Sequence, residues 1–494
     1  MTITTARALA LAMLVSTLGA CAVGPDFERP ATVPADTRFT QNEPGATASA
    51  AVYAGAAQHF NAGVAVDQRW WESFASPALS QLIDAAFKHN PTIDAAQASM
   101  RQARENVAAQ VGFYFPTVQA AYSPSRQKNA VGTISPTLSS GEALYTLHTA
   151  QLSVGYAPDV FGLNRRTVES LEAQAEAQKF QLEAAYLTLA SSLTGAVIQQ
   201  AALEAQIDAT RSIIKASERS LNLLRRQAEL GFASGLDLAG QESAVAQARQ
   251  ALPPLVKQLE QTRDLIAVLT GEFPDRAGLA HFDLSALQLP TEIPLGLPSG
   301  LVQRRPDIRA AEAQVHSASA QVGVALANRL PQFSISALYG GTSTRFDSMF
   351  SNGNRFWGLA GNVGQTIFDF GTLKHRQRGA EAALDQASAQ YRSVVLTAFQ
   401  NVADSLHALD ADADSLVAAS KAEAAARRTL DLTQKQLELG SVNALALLSA
   451  EQAFQQATIA RIQAQAVRYL DTVALFQSLG GAWSKESDTV MAGE

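Results

Sequence analysis

The chain has 494 residues, with 38 Lys and Arg against 45 Asp and Glu, a formal net charge of −7. A negative balance disfavours nucleic acid as a partner. Its single cysteine, Cys21, excludes an intramolecular disulfide framework and a thiolate metal cluster.

Residues 1–20 read as a signal peptide: Arg7 precedes an apolar core from Ala8 to Leu18 that is too short to span a bilayer. The segment ends Leu18-Gly19-Ala20-Cys21, which resembles a bacterial lipobox. That resemblance implies a covalent lipid on Cys21 as the only attached group, with no other cofactor. Ala22 follows in place of Asp, which by analogy favours sorting to the outer membrane. Residues 21–68 are expected to form a lipid-anchored, extended, weakly structured lead rich in Ala, Pro, Thr and Gly. A short amphipathic helix is expected over 77–89 and a second from Pro91 to about Gly112, where proline suits the first turn.

Four segments then alternate with period two, as strands with one apolar face do. One face carries Val118, Ala120 and Tyr122; then Ala150, Leu152, Val154 and Tyr156; then Phe333, Ile335, Ala337 and Tyr339; then Trp357, Leu359, Val363 and Ile367. The other face is small or polar. Tyr122, Tyr156, Tyr339, Phe346, Phe356 and Trp357 are expected at the edges of an apolar band. Two isolated hairpins cannot close a sheet, so they need strands from other subunits. No later stretch offers about 20 consecutive apolar residues, so a bilayer crossing is left to strands.

Each hairpin is followed by about 65 residues with no proline, Arg165–Leu230 and Leu373–Leu439, roughly 100 Å of helix at 1.5 Å per residue. Leu384, Tyr391, Val395, Val402, Leu406 and Leu409 follow a coiled-coil rhythm. Gly231 and Gly440 stand where left-handed helix ends are expected, and return helices follow over about 236–270 and 443–479. Pro253-Pro254 is expected to kink or divide the first return helix. The proline-bearing stretch 272–300 reads as a linker.

The body is duplicated. An offset of 209 residues carries Leu230-Gly231 onto Leu439-Gly440, Phe161-Gly162 onto Phe370-Gly371, and Gly271 onto Gly480. Residues 69–285 form the first repeat, 286–481 the second, and 482–494 a C-terminal tail. The fold class is mainly α with a transmembrane β part.

On these residues the chain resembles the TolC-like outer-membrane efflux family, in its NodT-type lipoprotein branch. The resemblance rests on Cys21-Ala-Val-Gly-Pro-Asp-Phe27 with Arg29-Pro30, on Gln303-Arg-Arg-Pro-Asp-Ile308 with Glu312, and on Leu439-Gly440 through Gln452. It implies a homotrimer whose strands make one 12-stranded barrel and whose helical hairpins make a periplasmic tunnel. Drugs or other small toxic compounds would pass to the exterior from a periplasmic adaptor (a membrane fusion protein) and an inner-membrane pump, foremost of the RND class. The lipid-facing residues would be Tyr122, Leu152, Val154, Tyr156, Phe333, Ile335, Tyr339, Trp357, Leu359 and Val363. Gly231, Ser234, Gly235, Gly440, Ser441 and Asn443 would dock the adaptor. Leu445, Ala446, Leu448 and Ser449 are the constriction candidates; family members often carry aspartates where Ala446 and Ser449 stand, so no acidic gate is implied.

Arg304, Arg305 and Asp307 fit a helix start better than a binding site, and Asp237 fits either an adaptor contact or a helix N-terminal charge. His375 and His407 are expected in solvent. No phosphate loop, nucleophile elbow or zinc motif occurs, so no catalytic or metal residue is assigned. The competing readings are a lipid-anchored periplasmic coiled-coil scaffold and the outer-membrane duct of a type I protein secretion system.

Overall fold

Two 67-residue helices and a four-stranded sheet dominate the computed structural model. It describes residues 22–30, 33–34, 37–41, 45–64, 66–128, 144–275 and 281–481. The leader, Cys21 and the tail 482–494 lie outside the described residues. In chain order the elements are β1 (His59–Ala62), α1 (Pro77–His89), α2 (Pro91–Val111), β2 (Thr117–Lys128), β3 (Leu144–Tyr156), α3 (Leu163–Glu229) and α4 (Gly235–Leu269). They continue with β4 (Glu292–Leu295), α5 (Pro298–Arg304), α6 (Pro306–Ala327), β5 (Gln332–Ser343), β6 (Arg355–Gly364), α7 (Thr372–Glu438) and α8 (Ala444–Ser478).

The chain packs as two units, and both sequence repeats contribute to each. One holds Met100–Gln178 and Ala311–Tyr391 with the residues up to Pro30; the other holds Ala31–Ser99, Lys179–Ala310 and the residues from Arg392 on.

The first unit contains the sheet, ordered β2-β3-β5-β6 and antiparallel throughout. The expected strands are present and longer than the alternation alone indicated. Ile367 is the exception: β6 ends at Gly364, and Ile367 stands in an irregular, exposed stretch. α3 begins where the Asp159 carboxylate accepts the N–H groups of Asn164 and Arg165 at 2.9 and 2.8 Å. Residues 22–30 are not a loose lead. Buried Arg166 donates to the Val23 and Gly24 carbonyls and to the Asp26 carboxylate, Phe27 stacks on His316 at 4.3 Å, and Arg29 pairs with Glu312 at 2.6 Å.

The second unit has a core of aromatic side chains, each removing a large apolar area from water. Trp70, Trp71 and Phe74 are buried; Trp70 stacks on Phe476 at 5.4 Å, and Phe74 meets Tyr469. The part of the α7 seam in this unit follows its rhythm, with Val402, Leu406 and Leu409 buried and Val395 half-buried. Here too the described residues of the lead are tied down. Arg468 of α8, fully buried, donates to the carbonyls of Ala54 and Ala56 and to the Thr47 hydroxyl, each at 2.8 Å. Gln58 donates to Thr472, and β1 pairs in parallel with β4. The expectation of four strands therefore becomes six among the described residues. The linker carries β4, a 3-10 turn at Leu284–Ala286 and the start of α5. Such short strands have too few residues to alternate, and their order comes from buried side-chain bonds.

Pro253 and Pro254 do not divide α4, which is continuous from Gly235 to Leu269. Both prolines are exposed, as are Arg249 and Gln250, whose carbonyls lose their usual donors. Water can serve those carbonyls, so the helix survives. Arg305 is buried and donates to the Ser478 carbonyl and the Asp307 carboxylate, a structural role. His375 and His407 are exposed.

One carboxylate in this unit is held out of its usual range. Burial, with Asp471 beside it, pushes Asp412 of α7 up to about 7, against the opposing pull of Arg468. A folded-state pKa above the unfolded one stabilises the fold at low pH and is lost as pH rises through about 7. The thermal midpoint is expected to fall between about pH 6 and about pH 8 by more in the wild type than in Asp412→Asn. Equal falls in the two proteins would show that Asp412 is not the titrating group.

Candidate functional sites on the sheet face and the helical turns

In an antiparallel sheet, residues directly opposite each other point to the same face. The register pairs Val118 with Val154, Ala120 with Leu152, Leu152 with Tyr339, and Tyr156 with Ile335; on the other side it pairs Phe333 with Val363, Ala337 with Leu359, and Tyr339 with Trp357. All ten residues expected on the apolar side, Tyr122, Leu152, Val154, Tyr156, Phe333, Ile335, Tyr339, Trp357, Leu359 and Val363, therefore share one face. That face is uncovered: Trp357 is 77% exposed, Leu359 70% and Val363 66%. The opposite face carries Gln119, Ser123, Gln151, Ser153, Ser334, Ser336 and Asn362.

Two aromatics need correction. Phe356 neighbours Trp357 in β6 and so points the other way, lying against Gly340 across the strand pair. Phe346 belongs to a 3-10 turn beyond β5 and reaches back over the apolar face, meeting Tyr122 edge-on at 5.9 Å.

The two long helices end alike. Gly231 and Gly440 have φ of +79° and +73°. The Phe232 N–H bonds the Gln227 carbonyl and the Gly231 N–H bonds that of Ala228; Ser441 bonds Gln436 and Gly440 bonds Leu437 in the same way. This is the Schellman pattern, which satisfies the last carbonyls of a helix. The return helices begin differently. Ser234 and Asp237 form a capping box, so Asp237 serves the helix start. At the second turn Asn443 caps alone, its side chain accepting the Ala446 N–H at 3.0 Å. Gly231, Gly235, Gly440, Ser441 and Asn443 are exposed, and Ser234 sits between Phe232 and Leu236, each 83% exposed.

The four constriction candidates do not share one open face. Leu445 and Ser449 are exposed and bonded, Ser449 Oγ donating to the Leu445 carbonyl at 3.0 Å. Ala446 and Leu448 are half-buried, and Leu448 lies over Gly240 of α4. Sequence reasoning missed Glu451. Its carboxylate accepts from Ser220 of α3 at 2.7 Å and lies 3.5 Å from the amide of Gln241 of α4, tying one helical pair to the other. Its signal was present, since Glu451 is the repeat counterpart of Glu242, which pairs with Arg225. Among the described residues no group of three His, Cys, Asp or Glu could hold a metal, and no helix is long and apolar enough to cross a membrane.

An uncovered apolar sheet face on strands of 10 to 13 residues, together with paired long helices, defines a membrane-embedded β element carrying helical hairpins. The chain belongs to the outer membrane efflux protein family, which matches residues 82–272 and 297–481, one match in each repeat. The pyoverdine export outer membrane protein OpmQ of Pseudomonas putida is 30% identical, over 86% of this chain and 90% of its own length. The probable efflux pump outer membrane protein TtgC of the same species is 30% identical, over 97% and 96%. Among solved structures, the outer-membrane channel OprN superposes with a TM-score of 0.83 at 28% identity, covering 94% of this chain and all of that one. The open state of the MtrE outer membrane channel of Neisseria gonorrhoeae gives 0.79 at 25% identity, over 93% and 98%. The protein is thus an outer-membrane component of an efflux system that extends into the periplasm, and a transport protein with no catalytic role.

Gly440 has open space around its missing β-carbon. Gly440→Ala should therefore cost only the left-handed backbone penalty, about 1–2 kcal/mol. Gly271 ends α4 in the same geometry, but a β-carbon there would collide with the His89 carbonyl. Gly271→Ala should destabilise by more, and denaturant midpoints of the two variants give the comparison. Equal losses would show that the His89 contact relaxes freely.

Proposed function

We propose that three copies of the chain assemble into a lipid-anchored duct that passively conducts drugs or other small toxic compounds to the exterior. The observation that carries this is the sheet: its apolar face is uncovered and, among the described residues, the outer edges of β2 and β6 have no strand partner. Lipid does not tolerate unpaired backbone groups. Three four-stranded sheets joined edge to edge give 12 strands in a closed ring, and strands of this length cross a bilayer when tilted about 45°. The ten apolar residues would face lipid, and the serine, glutamine and asparagine face would line the lumen.

The turns at Gly231–Gly235 and Gly440–Asn443 would dock a periplasmic adaptor, which connects to an inner-membrane pump of the RND class. Exposed Leu230, Phe232, Leu236 and Leu439 supply an apolar surface for that contact. Relatives named for export of pyoverdine, for toluene and for antibiotic efflux support small molecules over protein as cargo. Leu445 and Ser449 are the residues left to narrow the mouth by size and hydrogen bonding. Acylation of Cys21 would add the membrane anchor of the lipoprotein branch.

Photo-crosslinking in cells from Ser441 and Asn443 should capture an adaptor protein; capture of other copies of the chain alone counts against docking at the turns. Leu152→Arg, which places a charge near the middle of the apolar band at a cost of about 2–4 kcal/mol, should block assembly in the outer membrane, whereas Val363→Arg, next to the end of β6, should cost less. Unaffected assembly would remove the barrel and favour a periplasmic scaffold.

A further inference from the structure

The four strands of the larger sheet, β2, β3, β5 and β6, carry three Lys or Arg side chains, Arg126, Lys128 and Arg355, and no Asp or Glu. The register puts all three on the apolar face. Arg126 and Lys128 have the parity of Tyr122 on β2, and Arg355 that of Trp357 on β6. All three are exposed, and none of the strand residues on the opposite face is charged. They are also confined to one end of the sheet, the end bearing the connections between β2 and β3 and between β5 and β6. Along this face Tyr339 and Trp357 share one row of the register, Tyr122 and Arg355 share the next through Ala150 and Gly341, and Arg126 and Lys128 lie further out on β2.

The connection between β5 and β6 is built to support this end. Arg355 Nε donates to the Phe350 carbonyl at 2.8 Å, and Asn354 Nδ2 to that of Ser348 at 2.7 Å. These bonds fold the connection back onto the apolar face. Phe346 then lies beside Tyr122 and His148, and Phe350 beside Tyr339 and Leu152. Phe346 and Phe350 remain 63% and 51% exposed. The neighbouring Arg345 is neutralised by Asp347, leaving the three strand cations as the uncompensated charge at this end among the described residues.

A partner for this surface needs acyl chains level with the belt and anionic groups level with the cations. We infer that the surface binds a phosphorylated glycolipid of the outer leaflet, its acyl chains on the aromatics and its phosphates on Arg126, Lys128 and Arg355. The inference rests on the duct reading. In a closed ring β6 of one copy lies beside β2 of the next, so Arg355 of one copy and Arg126 and Lys128 of the next would flank the same seam at the same end of the sheet, and each barrel would hold three such sites. Guanidinium groups suit phosphate oxygens through paired N–H donors.

The test is native mass spectrometry of the full-length protein in detergent, with bisphosphorylated lipid A, its dephosphorylated form and phosphatidylglycerol as probes. The wild type should run as a trimer that retains bisphosphorylated lipid A at least about ten-fold better than the dephosphorylated form. The triple variant R126Q/K128Q/R355Q should remain a trimer and lose that preference. Retention of both lipid A forms alike, or an unchanged preference in the triple variant, overturns the site. Equal retention of phosphatidylglycerol overturns the glycolipid as occupant. If the triple variant does not assemble, the wild-type comparison of the two lipid A forms decides. A wild type found only as a monomer would instead overturn the trimeric duct.

Discussion

Backbone amides and carbonyls have no water to bond inside a bilayer, and this requirement governs the sheet and what the chain must assemble into. Four antiparallel strands satisfy their inner ladders and leave two edges, on β2 and β6. An isolated sheet of this kind would be an aggregation hazard in water and would be excluded from lipid. Pairing edges between copies removes both problems at once. The same closure decides which side chains are tolerated, since one face must suit hydrocarbon and the other water. The register meets that demand, with Leu, Val, Ile and aromatic residues on one face and Ser, Gln and Asn on the other.

Duplication supplies the helical part, and the two copies have diverged where their roles differ. Both long helices end on a left-handed glycine with the same pair of hydrogen bonds. Beyond the turn, the first copy uses Ser234 with Asp237, and the second uses Asn443 alone because Ala446 has no carboxylate to return. Glu242 pairs with Arg225 on the neighbouring long helix, whereas its counterpart Glu451 reaches Ser220 and Gln241 in the other repeat. One ancestral carboxylate thus holds a hairpin together in the first repeat and bridges two hairpins in the second. The turns therefore share a backbone shape but differ in side chains, so the docking proposed there would meet two related surfaces.

Much of this was legible in the sequence because the periodicities are long. Two proline-free stretches, the glycine after each and the alternation of four strands needed only counting. The lead was misjudged because its order depends on distant, buried donors. Arg468 gathers three acceptors from residues 47–56, and composition carries no trace of that. Pro253-Pro254 leave the helix undivided for a related reason: the cost of a helical proline depends on whether the freed carbonyl can reach water, and exposure decides it. Leu445 and Leu448 are constriction candidates only as neighbours of Ala446 and Ser449, and position along the chain does not distinguish Leu448, turned toward Gly240, from exposed Leu445.

The distribution of charge separates the two faces of the sheet more sharply than hydropathy does. A surface that selects a charged cargo needs fixed charge aimed at the path. The strands offer only uncharged polar groups on the face assigned to the lumen, together with glycine, alanine and a few larger apolar residues. Such a lining makes weak, exchangeable hydrogen bonds and holds no ligand for long. It suits a duct in which direction and choice of cargo are imposed upstream, where energy is spent. The fixed charge that a selective lumen would require stands on the opposite face of the sheet, where the proposed lipid contact would use it.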